Sequence, residues 1–316
     1  MNKKVLVFGG GTGLSNLLQG LKEFPIDITA VITVSDSGKS TGKLRQEFHV
    51  PAVGDIRKVI TSLASIDEPM KKMLEYRFNT TSDLDGHALG NLILISLLDV
   101  TGSLKESIAH LSKLLSIRHQ VLPLSENPNI TLMAQMSDDT IVEGEAAITK
   151  YPATIRRLFY KEEPQVLEEV LQAISEADLI ILSMGSLYTS VLPHLLAESV
   201  IQALDKSTAP LMYLCNIVTQ PGETDHFAVS DHINLLNQYL GNHKLDVVIA
   251  SNSSIDPLLV RKYATEEQKD PVKIDYPVLA KNDVELIEAD LLTIDHDLLR
   301  HHSQRLSTLI FSYLMR

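Results

Sequence analysis

The chain has 316 residues, 44% hydrophobic and 22% charged, the make-up of a water-soluble protein long enough to bury a substantial core. Its 28 Lys and Arg stand against 40 Asp and Glu, a formal charge of −12 that argues against a broad basic face for nucleic acid and leaves room only for a local cationic pocket. A single cysteine, Cys215, excludes an internal disulfide, and no apolar run approaches the ~18 residues of a membrane helix, so a cytoplasmic protein without membrane insertion is expected.

In chain order, the first apolar run covers 3–9 and is cut off by glycines too early for a signal peptide, so it is expected to be a strand. "GLSNLLQGLKEF" follows with apolar residues at helical spacing, and a second apolar strand is expected at 28–34. The stretches "DIRKVITSLAS", "LGNLILISLLDV" and "SLKESIAHLSKLLS" again carry the helical period. Residues 119–159 change character: short alternating segments separated by polar turns predict a small antiparallel accessory β layer. Nearly continuous apolar runs return at 177–183, 210–217 and 245–252, with the helical "DHINLLNQYLG" before the last. Strands apolar on both faces are covered on both faces. The expected fold is therefore α/β: a Rossmann-like, mostly parallel sheet with helices on both sides, one domain over 1–316 with the accessory segment inserted, and a division near residue 120 as the alternative.

In such sheets ligands gather beyond the carboxyl ends of the strands. After the first strand, "VFGGGTGLSNLL" puts Gly10, Gly11, Thr12 and Gly13 at a helix entrance, where backbone amides favour phosphate; Leu14 stands where the dinucleotide fingerprint has its third glycine. Asp36, at the end of the second strand, is placed to accept from a ribose. The following "SDSGKSTGKLR" resembles the tail of an ATPase phosphate loop but has Thr33 where that loop needs its first glycine. Ser37, Gly38, Ser40 and Lys43 remain candidates for a phosphate or ribose cradle, with Lys39 and Arg45 adding positive charge. Asp55 and Arg57 open a helix, Asp55 as an N-cap or as a ligand or metal contact, and "DLDGHALGN" presents His87 as a phosphate donor or acid beside Asn91. Asp55, Arg57 and His87 are thus candidate catalytic groups, and magnesium near Asp36 and Asp55 is a candidate metal; no His or Cys set has zinc spacing. Gly185 and Ser186, then Asn216, Thr219 and Gln220, follow later strands and offer small and amide groups to a base or sugar.

Taken together, "GGGTGLSNLLQGLK", "VSDSGKSTGKLR", "GDIRK", "GHALGN", "GSLYTSVLPHLL" and "CNIVTQPGETD" resemble the YvcK/CofD-like family, in particular its bacterial gluconeogenesis-factor branch, from Lys3 to the C-terminal helix. The resemblance implies a Rossmann-like fold, binding of UDP-sugars such as UDP-GlcNAc, and a role in cell shape and envelope synthesis during gluconeogenic growth. The family's other branch implies 2-phospho-L-lactate transfer from a guanosine diphosphate carrier to a deazaflavin, with magnesium. A UDP-sugar is the expected ligand, GDP and NAD are the alternatives, and an NAD-binding oxidoreductase is the third reading. A homo-oligomer and a cell-envelope synthesis protein are the candidate partners.

Overall fold

The computed structural model describes residues 2–35, 39–128, 130–295 and 297–316. Its strands are β1 (Lys3–Gly9), β2 (Ile26–Ile32), β3 (Gln120–Pro123), β4 (Leu132–Met136), β5 (Ile141–Glu143), β6 (Ile155–Tyr160), β7 (Leu179–Leu182), β8 (Leu211–Leu214), β9 (Val247–Ser251), β10 (Glu285–Ala289), β11 (Leu292–Asp295) and β12 (Leu298–His301). Seven of them form one parallel sheet in the order β10-β9-β8-β7-β1-β2-β3. This is the expected Rossmann-like arrangement. Strands β5, β4 and β6 make a separate antiparallel sheet, and β11 pairs with β12 as a hairpin.

The apolar strands are apolar because both faces are covered. Along β1, the period of two sends Val5 and Val7 into the core shared with the helix Gly11–Leu21, and Leu6 and Phe8 into the opposite core with Ile180, Leu182 and Val191. Helix Gly11–Leu21 lies against helices Gly54–Leu63 and Ser303–Leu314. At Gly20 the approach is very close: an added Cβ would come within 2.6 Å of the Ser303 carbonyl oxygen.

Two expectations about the sheet need correction. Residues 120–123, assigned to the antiparallel layer, are a parallel strand that extends the main sheet, with Thr29 opposite Gln120. Val121, Leu122 and Pro123 are buried, and Pro123 is tolerated because this is an edge strand. At the other edge, β10 has only half-buried residues between exposed Glu285 and Glu288, so it lacked the apolar run that marked its neighbours. Strand β2 begins and ends two residues earlier than expected, its register fixed by Lys3 opposite Ile26. No helix among the described residues is long and apolar enough to cross a membrane.

Candidate functional site

The sheet changes direction between β1 and β7: from β1 the chain builds outward through β2 and β3 on one side, and through β7 to β10 on the other. Loops that leave neighbouring strands in opposite directions open a crevice at such a point. Here the crevice is a cleft of about 530 Å³ lined by Gly10–Gly13, Met184–Ser186, Asn216–Pro221, Lys269 and Leu299–His301, among others.

One side is the entrance of helix Gly11–Leu21. Its N-cap is Gly10, which has no side chain to satisfy the first-turn amides, so those of Gly11, Thr12 and Gly13 remain for a ligand. Gly11 has φ of +62°, a conformation that a branched residue resists. Gly13 is required for a different reason: a Cβ there would lie 2.2 Å from the Met184 carbonyl oxygen, so the β1 and β7 loops touch backbone to backbone. Lys269 and Arg300 bring positive charge to the cleft. Lys269 is paired with Glu267 at 2.6 Å, whereas no hydrogen bond or ion pair joins the Arg300 guanidinium to another described residue.

Adjoining this helix entrance is a wall built as a hydrogen-bonded network. Asn216, after β8, accepts from the Gly185 N–H at 3.0 Å and donates to the Gly185 carbonyl at 2.7 Å, clamping the β7 loop where Gly185 has φ of +147°. Ser186 accepts from the Thr189 amide and hydroxyl and donates to Glu223 at 2.6 Å. Gln220 donates from its side-chain amide to the other Glu223 oxygen at 3.0 Å. Glu223 itself is buried, and burial pushes its carboxyl up to about 7. Thr219 is tied to the Asp270 backbone through its own N–H and its hydroxyl oxygen. The C-terminal hairpin closes the cleft: the His301 ring faces the Cys215 carbonyl at 3.1 Å, and Asn16 donates to the His301 carbonyl at 2.7 Å. Because Cys215 offers a carbonyl, Nε2 carries the His301 proton, and burial pushes this ring down to about 4.

Of the residues nominated from sequence, the structure brings together Gly10, Gly11, Thr12, Gly13, Gly185, Ser186, Asn216, Thr219 and Gln220 along this cleft. Arg57, His87 and Asn91 are not among its lining residues; all three are buried. Arg57 donates to Asn91 at 3.1 Å, and its stem fills the space that a Gly90 side chain would need, within 2.8 Å. Asp55 is not an N-cap, which is Val53; its carboxylate pairs with Lys58 at 2.9 Å and lies beneath Gly10. Lys43 is exposed on helix Lys39–Phe48. Arg45 spends its donors on the carbonyls of Ser35, Pro128 and Ile130. Asp36, Ser37 and Gly38 lie outside the described residues, as does the side chain of Ser40. Among the described residues, no three His, Cys, Asp or Glu side chains are placed to hold a metal ion.

The residues that sequence reasoning missed are Lys269, Arg300, His301 and Glu223. The first three belong to no local pattern and reach the cleft only through the fold. Glu223 lay within a quoted motif, where a lone acid among small and amide residues was the available signal.

The family model for 2-phospho-L-lactate transferase CofD matches residues 5–292. The chain is 40% identical over 312 residues to a gluconeogenesis factor of Bacillus subtilis, covering 98% of both, and 41% identical over 309 residues to one of Halalkalibacterium halodurans, covering 98% of this chain and 95% of that one. A crystal structure of a Bacillus halodurans protein superimposes with a TM-score of 0.94 at 41% identity, over 98% of this chain and 99% of that one. Fold and sequence therefore agree that the chain belongs to the CofD family, among relatives named gluconeogenesis factors.

Proposed function

We propose that the protein is a gluconeogenesis factor that binds a UDP-sugar of the UDP-GlcNAc type in the switch-point cleft and acts as a cytoplasmic regulator of envelope synthesis and cell shape. The observation that carries the reading is the cleft's division of labour: free helix amides at Gly11 to Gly13 with Arg300 and Lys269 for a diphosphate, and a polar wall around Gln220 for a base or sugar. Its volume of about 530 Å³ falls in the ~300–1,000 Å³ range of small-molecule sites. The names of the relatives support its assignment as a gluconeogenesis factor. Titration calorimetry with UDP-GlcNAc, GDP and NAD tests the reading: micromolar binding of UDP-GlcNAc is expected, and a preference for GDP or NAD overturns it.

The second reading is phospholactyl transfer, favoured by the description of the matching family model. Incubation with magnesium, a lactyl diphosphoguanosine donor and the deazaflavin acceptor decides between them, since multiple turnovers without affinity for UDP-GlcNAc select the transferase.

A further inference from the structure

We infer that Glu223 sets the hydrogen-bonding polarity of the cleft wall, so that Gln220 meets the ligand as an acceptor and the group seated against it is the imide N–H of a uracil ring. The inference rests on the uridine-nucleotide reading and assigns to this wall the recognition of the base.

The argument begins with what each polar group has left to offer. The Ser186 hydroxyl is saturated: its proton goes to Glu223 at 2.6 Å, and its oxygen accepts from the Thr189 amide at 3.0 Å and the Thr189 hydroxyl at 2.7 Å. Both ends of the Asn216 amide are held by Gly185. The Thr219 oxygen accepts from the Asp270 amide at 2.8 Å. Thr219 keeps its hydroxyl proton, and of these four wall residues Gln220 alone keeps a side-chain acceptor atom with no bond. Its Nε2 donates to Glu223 at 3.0 Å, and its backbone N–H goes to the Thr224 hydroxyl at 2.9 Å, which leaves the side-chain carbonyl oxygen without a described partner in a half-buried residue that lines the cleft.

The orientation of that amide is set by chemistry. An ionised carboxylate only accepts, so Gln220 must turn its NH₂ toward Glu223 and its oxygen away. A buried acceptor that meets a ligand needs a donor from it. Uracil carries a proton at N3, whereas cytosine has a lone pair there. The rest of the cleft supplies the donors, the Gly11–Gly13 amides and Arg300, which suit phosphate oxygens and line the same cleft as this acceptor.

The charge state of Glu223 is therefore part of recognition. Burial is the main cause that pushes its carboxyl up to about 7; Asp225 raises it further, and the bonds from Ser186 and the Tyr188 amide oppose the rise. The groups that face it are the Asp225 carboxylate and the Tyr188 phenol, and among the described residues no Lys, Arg or His pairs with it. Once protonated, Glu223 can donate, and the Gln220 amide is free to reverse and present its NH₂ to the cleft. Affinity for a uracil imide then falls as pH drops through the neutral range.

The experiment compares UDP-GlcNAc with its N3-methyl analogue by titration calorimetry at pH 6 and pH 8; the pyrophosphate diesters of both probes do not titrate there. At pH 8 the native protein is expected to bind the methylated probe roughly 10- to 100-fold more weakly, the effect of leaving a buried acceptor unsatisfied, and this discrimination shrinks at pH 6. Glu223→Gln is expected to flatten the pH dependence and lose most of the discrimination. Gln220→Met, which keeps the shape without the amide, is expected to bind both probes alike and serves if Glu223→Gln does not fold. Equal affinity of the native protein for both probes at pH 8 overturns the inference while leaving the proposed function standing. Unaltered discrimination in folded Glu223→Gln also overturns it. Absence of any UDP-GlcNAc binding instead removes the proposed function on which it rests.

Discussion

Replacing Gly13 by alanine separates two opposing effects by sign. Gly13 lies within the first turn of helix Gly11–Leu21, where intrinsic propensity favours alanine by up to ~1 kcal/mol. The added Cβ would sit 2.2 Å from the Met184 carbonyl oxygen, 2.8 Å from its carbon and 3.3 Å from the Gly185 Cα. All three are backbone atoms, so relief requires the β1 and β7 loops to part by about 1 Å, the shortfall from an ordinary carbon–oxygen contact. Overpacking of this kind costs typically ~1–3 kcal/mol and sometimes more, which outweighs the propensity gain. A chain of 316 residues has an unfolding entropy of roughly 0.66 kcal/mol/K, so a net loss of ~1–2 kcal/mol lowers Tm by about 1.5–3 °C. The same displacement moves Ser186 and the Gly11–Gly13 amides apart, so UDP-GlcNAc affinity is expected to drop by at least roughly tenfold. Calorimetric unfolding and ligand titration on one preparation read both effects. A raised Tm with unchanged affinity would refute the claim that this loop contact builds the site.

Gly11→Val is expected to remain folded, since an added Cβ at Gly11 meets nothing closer than Asp55 at 3.6 Å, yet to lose nucleotide binding through its strained φ and the bulk set before the amides; circular dichroism and calorimetry check the pair of outcomes, and a Bacillus subtilis strain lacking its own gluconeogenesis factor should be rescued by the native chain and not by this variant. Asn216→Ala removes both bonds to Gly185 and is expected to destabilise the protein by ~1–3 kcal/mol in urea titrations while weakening UDP-GlcNAc binding. Stability should fall as pH is lowered from about 6.5 toward 4, because burial pushes His194, His232 and His301 down to about 4 and the unfolded chain binds their protons first. Glu223 acts in the opposite sense, since its folded carboxyl, raised to about 7, holds a proton that the unfolded one releases near 4.5; Glu223→Gln should therefore steepen the acid decline measured by urea unfolding at several pH values.

The central sheet was legible because its inner strands are apolar on both faces: the burial of Leu179–Leu182 and Leu211–Leu214 at every position leaves a continuous hydrophobic run in the sequence. Edge strands leave no such run, which is why β10 went unseen and β3 was joined to the wrong sheet. The glycine side of the cleft was legible for a related reason. Positive φ at Gly11 and backbone contact at Gly13 both favour glycine over any residue with a side chain, so the constraint is written locally. The cationic side was not. Lys269 and Arg300 sit in segments with no motif: the pairing of Asp270 and Val272 with the loop after β8 brings Lys269 to the cleft, and the return of the C-terminal hairpin over β8 brings Arg300. Arg57 and Asn91 show the converse case, since residues in glycine-rich motifs were read for a ligand and the structure shows that the glycine at 90 also makes room for an arginine stem.

The placement of these late segments bears on what binding accomplishes. The cleft gathers the first loop of the chain with the cations of residues 269 and 300, so a ligand that spans it joins the two ends of the sequence. Helix Ser303–Leu314 is already packed on helix Gly11–Leu21 through the core, and at the cleft itself the hairpin is held by Asn16 to the His301 carbonyl, Ser303 to the Asn16 carbonyl, and the His301 ring to the Cys215 carbonyl. Two cations and a helix N-terminus facing one cleft repel one another, and a diphosphate converts that repulsion into attraction. Binding energy is thereby linked to how firmly the hairpin of β11 and β12 is held, because a ligand that engages only the assembled cleft stabilises it by RT ln(1 + [L]/Kd).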